Sequence, residues 1–347
     1  MPPRRSVRIG LICLLAALPV ASAPARLWEG SEYTAAQRDR AVLRGLRFIE
    51  SVAENPKYLE GYGDDLLWCL YSVSRTSADA RVRQEAAGAA RRAARRWGQS
   101  HSVLPAHPDA DDLLSLATGH AVLERLGVPA AGMKDRIRAA AAGLPVRAYL
   151  LFDPAREAPP ADLPARARYD LWCDALITSF FGDLYGVTLG APYAEVIRWL
   201  PAMRPYPAPS DTAEYYAALY SITHVIYTLN HYSVYAVRPE CLAPEFEFLK
   251  AALETPLQTP QQTAAAPRDP ESTGEFLDTL RAFGMTARDA PIRTGVEYLL
   301  STQNADGSWG DVKSADIYTR YHSTWTAVDG LREYRFEPAR ACPAFGK

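Results

Sequence analysis

His224 and His322 each head a run of mostly apolar residues, HVIYTLNHYSVY and HSTWTAVDGL. Carboxylates hold the same place before four other runs: Asp65 in DLLWCLYSV, Asp112 in DLLSLATGHAVLERLG, Asp174 in DALITSFFGDLYG and Glu275 in EFLDTLRAFG. Brought together, two imidazoles and a carboxylate suit a divalent transition metal, zinc or iron, with coordination positions left open for water or substrate. The expected ligands are His224, His322 and Asp174, with Asp65, Asp112 and Cys173 as further pocket residues. Any one carboxylate is equally explained as a first-turn residue favoured by the helix dipole. Histidine has no such preference, so the two matching histidines carry the reading. Tyr227, His231 and Glu275 are the expected proton-moving or catalytic groups. His231 follows His224 by two helical turns, about 10 Å along one face, and reaches the same ion only if the helix breaks near Asn230. His101, His107 and His120 are given no role.

These heads need a frame that repeats. The intervals from Asp65 through Asp112, Asp174, His224 and Glu275 to His322 are 47, 62, 50, 51 and 47 residues. The long one holds the proline-rich insert FDPAREAPPADLP. Apolar residues recur at helical spacing with no convincing strand alternation, and Pro and Gly divide the chain into about twelve helical segments. Paired, they make six hairpins, a repeat that stacks because one hairpin cannot bury its own apolar face. The first helices of the pairs, such as AQRDRAVLRGLRFIE and RVRQEAAGAARRAARRW, are amphipathic. The second helices are apolar on most sides. Outer amphipathic helices around inner apolar ones predict an all-α fold, an (α/α)6 toroid or barrel of six helical hairpins. In such a barrel the inner helices run roughly parallel and their first turns meet at one mouth. An open solenoid is the alternative and would leave the inner helices partly exposed.

Residues 1–25, MPPRRSVRIGLICLLAALPVASAPA, read as a secretory signal: arginines, an apolar run, then small residues, with cleavage after Ala23 or Ala25. The remainder, 26–347, reads as a single domain that is secreted or periplasmic. No later run is long enough for a stable membrane span. With 38 Lys and Arg against 40 Asp and Glu, the net charge of −2 gives no reason to propose nucleic acid. Export permits disulfides; Cys241 and Cys342, beside prolines, are the expected pair, and Cys69 and Cys173 are expected as buried thiols. Phosphate loops, serine-hydrolase elbows and H-E-x-x-H motifs do not occur in the sequence.

GVEYLLSTQNADGSWG, residues 295–310, resembles the QW-type repeat of squalene-hopene cyclases and the related protein prenyltransferases through Gln303, Asp306, Gly307, Ser308, Trp309 and Gly310. DIYTRYHSTWTAVDGL is similar to the last inner helix of protein prenyltransferase β subunits. The resemblance is clear over about residues 295–333 and implies an α/α toroid with zinc on His322. It departs from that family at the other ligands: an Asp-x-Cys pair there, adjacent Cys173-Asp174 here. Asp109, Asp111 and Asp112 form the D-x-D-D pattern that supplies the acid in class II terpene cyclases. The helix after Asp112 lacks the aromatic residues such a cavity needs.

The expected function is thus a secreted metal-dependent toroid enzyme acting on a small-molecule, glycan or peptide ligand at the barrel mouth. The alternatives are a non-catalytic peptide- or glycan-binding toroid and a terpene-cyclase-like acid catalyst using the DADD motif. Tyr215, Tyr216, Tyr220, Tyr227, Tyr232 and Tyr235 cannot all be core, because buried phenols need partners, and some are expected to face the pocket. The segment 255–272 is either a lid or an inter-repeat loop.

Overall fold

The computed structural model describes residues 33–210, 212–258, 269–343 and 345. The expected signal and residues 259–268 of the lid-or-loop segment lie outside them. Thirteen α-helices are present among the described residues: α1 Ala35–Glu54, α2 Pro56–Thr76, α3 Ala80–Ser100, α4 Ala110–Arg125, α5 Met133–Ala141, α6 Val146–Leu150, α7 Ala165–Tyr185, α8 Tyr193–Ile197, α9 Ala213–Leu229, α10 Ala243–Gln258, α11 Pro270–Ala282, α12 Ala290–Thr302 and α13 Ile317–Leu331. No β-strand occurs among these residues, only two isolated bridges, Ser77 with Tyr334 and Tyr235 with Glu337. The all-helical expectation is met, and the one helix it lacked is the short α6, just before the proline-rich insert.

Helix boundaries follow local chemistry. Thr34 and Gln37 make a reciprocal capping box at α1, and the Asp79 side chain accepts the Arg81 and Val82 amides at α3. In α3 the arginines of RRAARRW face solvent while Ala93, Ala94 and Trp97 are buried, the amphipathic pattern of an outer helix. In α9 and α11, by contrast, most residues are buried all round.

Packing follows the alternation. α2 touches α4, α4 touches α7, α7 touches α9, α9 touches α11, α11 touches α13, and α13 touches α2. Around them α1 lies on α13 and α2, α3 on α2 and α4, α5 on α4, α8 on α7, α10 on α9 and α11, and α12 on α11 and α13. No helix is long and apolar enough among the described residues to cross a membrane.

The turn between α12 and α13 fastens the last hairpin to the first helix. Gln303 Nε2 donates to the Ala41 carbonyl at 2.9 Å and to the Gly307 carbonyl at 3.0 Å. Trp309, fully buried, donates Nε1 to the Leu299 carbonyl at 2.8 Å, and its amide donates to Thr324 Oγ1 at 2.9 Å. Gly307 has φ +91°, and a Cβ there would stand 2.7 Å from the Arg44 carbonyl oxygen, so both backbone angle and space require glycine. Beyond α13 the chain crosses the other helix ends. Arg335 N donates to the Thr76 carbonyl at 3.0 Å, Glu337 N donates to the Val234 carbonyl at 2.7 Å, and Cys342 is disulfide-bonded to Cys241. Cys69 and Cys173 are free and buried, as expected.

Because Trp309 joins α12, α13 and α1 at once, Trp309→Ala is expected to cost about 3–5 kcal/mol, whereas Gln303→Ala costs about 1–2 kcal/mol. Urea unfolding of the two variants checks the order; equal, sub-kilocalorie effects would show that the turn fastens nothing.

Candidate functional site

The site is built on a helix pair whose backbones approach closely at two glycines. A Cβ on Gly274 of α11 would fall 2.2 Å from the Thr326 carbonyl oxygen of α13, and one on Gly330 would fall 2.8 Å from Gly274 Cα. The two backbones therefore touch. One turn toward the helix starts, this contact sets Glu271 against His322 and Ser323, and Glu275, on the same face of α11, follows Gly274 directly. His322 Nδ1 is 3.1 Å from Glu271 Oε1, and Ser323 Oγ donates to Glu271 Oε2 at 3.1 Å. Glu275 Oε2 accepts from Thr223 Oγ1 of α9 at 2.7 Å. Across α13, Tyr321 OH donates to Asp65 Oδ2 of α2 at 3.1 Å. His224 Nδ1 lies 2.8 Å from the Tyr220 carbonyl; a carbonyl only accepts, so that nitrogen carries the proton and Nε2 keeps the lone pair.

Aromatic rings wall the cluster. Tyr318 stacks on His322 at 5.1 Å, Tyr220 lies 4.2 Å from His224, and Tyr227 stands edge-on to His224 at 5.5 Å. Tyr227 stacks on Tyr232 at 5.4 Å, and Tyr232 meets Trp68 at 5.2 Å. Cys173, His224, Glu275 and His322 are buried, whereas Asp65, Tyr220, Tyr232, Glu271 and Tyr318 are half-buried. The cluster thus has a buried floor and a rim that reaches solvent.

Burial and charge push its groups apart. Burial alone would lower the His322 pKa, but the Glu271 carboxylate, with Asp65 and Glu275, raises it to about 9. Burial acts to raise Glu271, yet His322 and the Ser323 hydroxyl hold it below its ordinary value. Glu275, four residues on, goes the other way: burial, with Glu271 and Asp269 adding to it, pushes it up to about 8. Burial lowers His224 to about 4, and Asp64 is pushed up to about 7 by burial and by Asp65. Near neutral pH the site holds an imidazolium and a carboxylate in contact, beside a neutral carboxylic acid and a neutral imidazole.

Of the residues expected from sequence, Asp65, Cys173, His224, Glu275 and His322 meet here, and Tyr227 joins them through its rings. The charge of Asp174 acts on Cys173 and Tyr220. Asp112 is placed differently: Asp109 Oδ1 accepts the Asp112 amide at 2.8 Å and the Asp112 side chain accepts the Asp109 amide, a reciprocal capping box that opens α4. His231 also departs from its expected helical face. α9 ends at Leu229, and His231, Tyr232 and Ser233 all take positive φ, at 55°, 53° and 66°. This left-handed turn swings His231 toward Phe180 and Tyr235, with Nε2 2.9 Å from Arg340 Nη1, and brings the Tyr232 ring against Trp68 and Tyr227 instead.

The expected metal set is not assembled. Among the described residues no three His, Cys, Asp or Glu side chains are gathered to hold one ion. Glu271 is the residue that sequence reasoning missed. Its signal was the four-residue spacing to Glu275, hidden because Pro270-Glu271 reads as an ordinary acidic first turn. Tyr318, Tyr321 and Trp68 also carry no sequence signal that sets them apart from other aromatic residues of the helices.

A second buried polar network lies farther along the same helices. Asp329 pairs with Arg332 at 2.6 Å, Arg332 Nη1 donates to Ser77 Oγ at 3.2 Å, and Ser233 Oγ donates to Asp278 Oδ1 at 2.7 Å. It ties α13, α2, α11 and the α9 turn together where the C-terminal segment crosses them.

No protein-family model matches this chain, and no curated protein is significantly similar to it. The likeness over residues 295–333 stands on its motif alone.

His322 has its pKa raised, so its share of the ion-pair stabilisation is full below about pH 6.5 and is lost as pH rises through about 9. Glu271, held low, contributes above its unfolded value, and that share is lost as pH falls through its lowered pKa. Glu271→Gln is expected to lower the His322 pKa from about 9, since burial is then opposed only by Asp65 and Glu275. Histidine NMR titration reads this directly, and an unmoved value would show that Glu271 does not set it. Gly274→Ala forces α11 and α13 apart; it is expected to lower the same pKa and to destabilise by about 1–3 kcal/mol, checked by the same titration and by urea unfolding.

Proposed function

We propose that this protein is an exported (α/α)6-toroid enzyme that performs acid-catalysed hydrolysis on an oxygen-rich small ligand in the α11–α13 pocket. The closed cycle of contacts from α2 through α4, α7, α9, α11 and α13 back to α2 supports the toroid, as does the QW-like turn at Gln303–Trp309. The N-terminal signal pattern and the Cys241–Cys342 disulfide support export.

The single observation that carries the chemistry is the pair on one face of α11: Glu271 ionised against His322, and Glu275 kept protonated to about pH 8. Two carboxyls driven apart by their surroundings are the mark of an acid and its electrostatic partner. Glu275 gives its proton to a ligand oxygen as the carbon–oxygen bond breaks. Water adds its hydroxyl to the carbon and returns its remaining proton to Glu275. The Glu271–His322 pair holds its charge fixed beside the reacting atoms, and the tyrosines limit water access. A carboxyl with so high a pKa is too weak to protonate an alkene but well matched to an oxygen leaving group at neutral pH. This favours oxygen chemistry over the terpene-cyclase-like alternative, as does the capping role of Asp109 and Asp112.

Purified protein incubated with panels of glycosides, esters and peptides, with products read by mass spectrometry, tests the proposal. Turnover should fall as pH rises through about 8, and Glu275→Gln should lose about 10²–10⁴-fold in kcat with substrate affinity retained. A ligand bound but never converted would establish the non-catalytic toroid instead. Turnover that survives in Glu275→Gln but requires stoichiometric zinc or iron would establish a metal enzyme.

A further inference from the structure

A groove of about 410 Å³ lies between the end of α2, one face of α3 and the C-terminal segment that follows α13. Ala80, Ala87 and Gly88 line it along α3, where their helical spacing keeps them on one face and their small size leaves the space open. Arg83 and Arg91 line it from the same helix, about 12 Å apart along the axis. Arg335 of the C-terminal segment supplies a third guanidinium.

Two of these three cations are held in place by the backbone. Arg83 Nη1 donates to the Ser77 and Ala78 carbonyls at 2.9 and 2.6 Å, which leaves its Nε and Nη2. Arg335 donates Nε and Nη2 to the Arg75 carbonyl at 2.9 and 2.7 Å, which leaves its Nη1. The segment that carries Arg335 is itself fixed, since the Arg335 amide donates to the Thr76 carbonyl at 3.0 Å and Glu337 pairs with Arg75 at 2.9 Å. Capping the last carbonyls of α2 explains these bonds, but not why Arg91 joins them around a hollow. The neighbouring carboxylates are already taken: Glu85 by Arg81, Glu50 by Arg92 and Glu337 by Arg75. Among the described residues no carboxylate pairs with Arg83, Arg91 or Arg335. Three like charges around one recess concentrate a positive potential in it.

We propose that this groove binds an oligophosphate, a short chain of phosphates whose anionic oxygens accept from Arg83, Arg91 and Arg335. Forked guanidiniums match phosphate oxygens two bonds at a time, and a phosphate chain offers acceptors only, as the unused donors require. A single phosphate or sulfate cannot reach from Arg83 to Arg91 and leaves one end of the groove unpaired. No aromatic ring lines the groove, so a nucleobase has nothing to stack on. No large apolar side chain lines it either, so an acidic peptide finds no pocket for an anchoring residue. The site stands apart from the Glu275 cluster: Arg335 lies beyond the end of α13, whereas His322 is in the second turn of that helix.

Isothermal titration of the full chain in about 0.1 M salt with tripolyphosphate, orthophosphate, sulfate and hexaglutamate tests this. Tripolyphosphate should bind one to a chain, more tightly than the other three, and should weaken as salt is raised. Arg91→Gln should weaken it about tenfold, the value of a hydrogen bond to a charged group. Its urea midpoint should not move, because Arg91 bonds to nothing among the described residues. Arg335→Gln should weaken binding as well. Arg96 donates to the Ala53 carbonyl from the other side of α3, so Arg96→Gln should leave the affinity as it is. The inference is overturned if tripolyphosphate shows no saturable binding at about 1 mM. It is overturned equally if orthophosphate or sulfate binds as tightly, which would show a single-anion site, or if hexaglutamate binds more tightly, which would show a surface for an acidic protein segment. A loss in Arg96→Gln as large as that in Arg91→Gln would also sink it, since the attraction would then be diffuse along the arginine-rich helix.

Discussion

The contact of the α11 and α13 backbones at Gly274 and Gly330 is the constraint on which the rest of the site depends. Any side chain at Gly274 would occupy the space of the Thr326 carbonyl. With none there, Glu271 comes within an ion-pair distance of His322, and Thr223 of α9 reaches Glu275. A buried carboxylate or imidazolium on its own would be discharged by desolvation. Held in contact, Glu271 and His322 keep each other charged, and on their neighbour Glu275 burial outweighs the pull of His322 and pushes its pKa up. One steric fact thus decides the protonation state of three groups.

The polar interior is divided along the helix axes. Near the starts of α11 and α13 the pairs are incomplete: Trp68 Nε1 lacks an acceptor, Glu275 lacks a cation, and the rim residues reach solvent. Farther along, Asp329, Arg332, Ser77 and Tyr334 are joined in direct contacts, with Asp278 bound to Ser233, and the C-terminal segment lies over them. The left-handed turn His231–Ser233 links the two, since Ser233 bonds into the second network while Tyr232 lies against Trp68 of the first.

Much of the helical frame was legible from the chain because its signals are local. Periodic apolar residues, capping residues and prolines placed nearly every long helix, and the arginine-rich face of α3 read correctly as solvent-facing. The repeated positions Asp65, His224, Glu275 and His322 pointed to residues that gather, since a repeat gives equivalent positions equivalent surroundings. Asp112 shows the limit of that logic: an equivalent position is not an equivalent contact, and with Asp109 three residues before it a capping box competes for its carboxylate. His231 shows another, because three consecutive residues in left-handed conformation follow from no local preference of His, Tyr or Ser.

The sequence by itself determined which segments are helices, which faces are apolar and which cysteines stay reduced within helices, whereas the ionisable residues read as helix heads lie inside their helices, His224 near the end of α9. The first three follow from side-chain chemistry read over a few turns. Only the tertiary structure decided that the partner of His322 is Glu271, that Glu275 is an acid, and that Trp68 carries an unmet hydrogen bond. Those properties depend on what other helices bring within about 3 Å and on how completely they exclude water, and neither quantity is written in the spacing of residues along one chain.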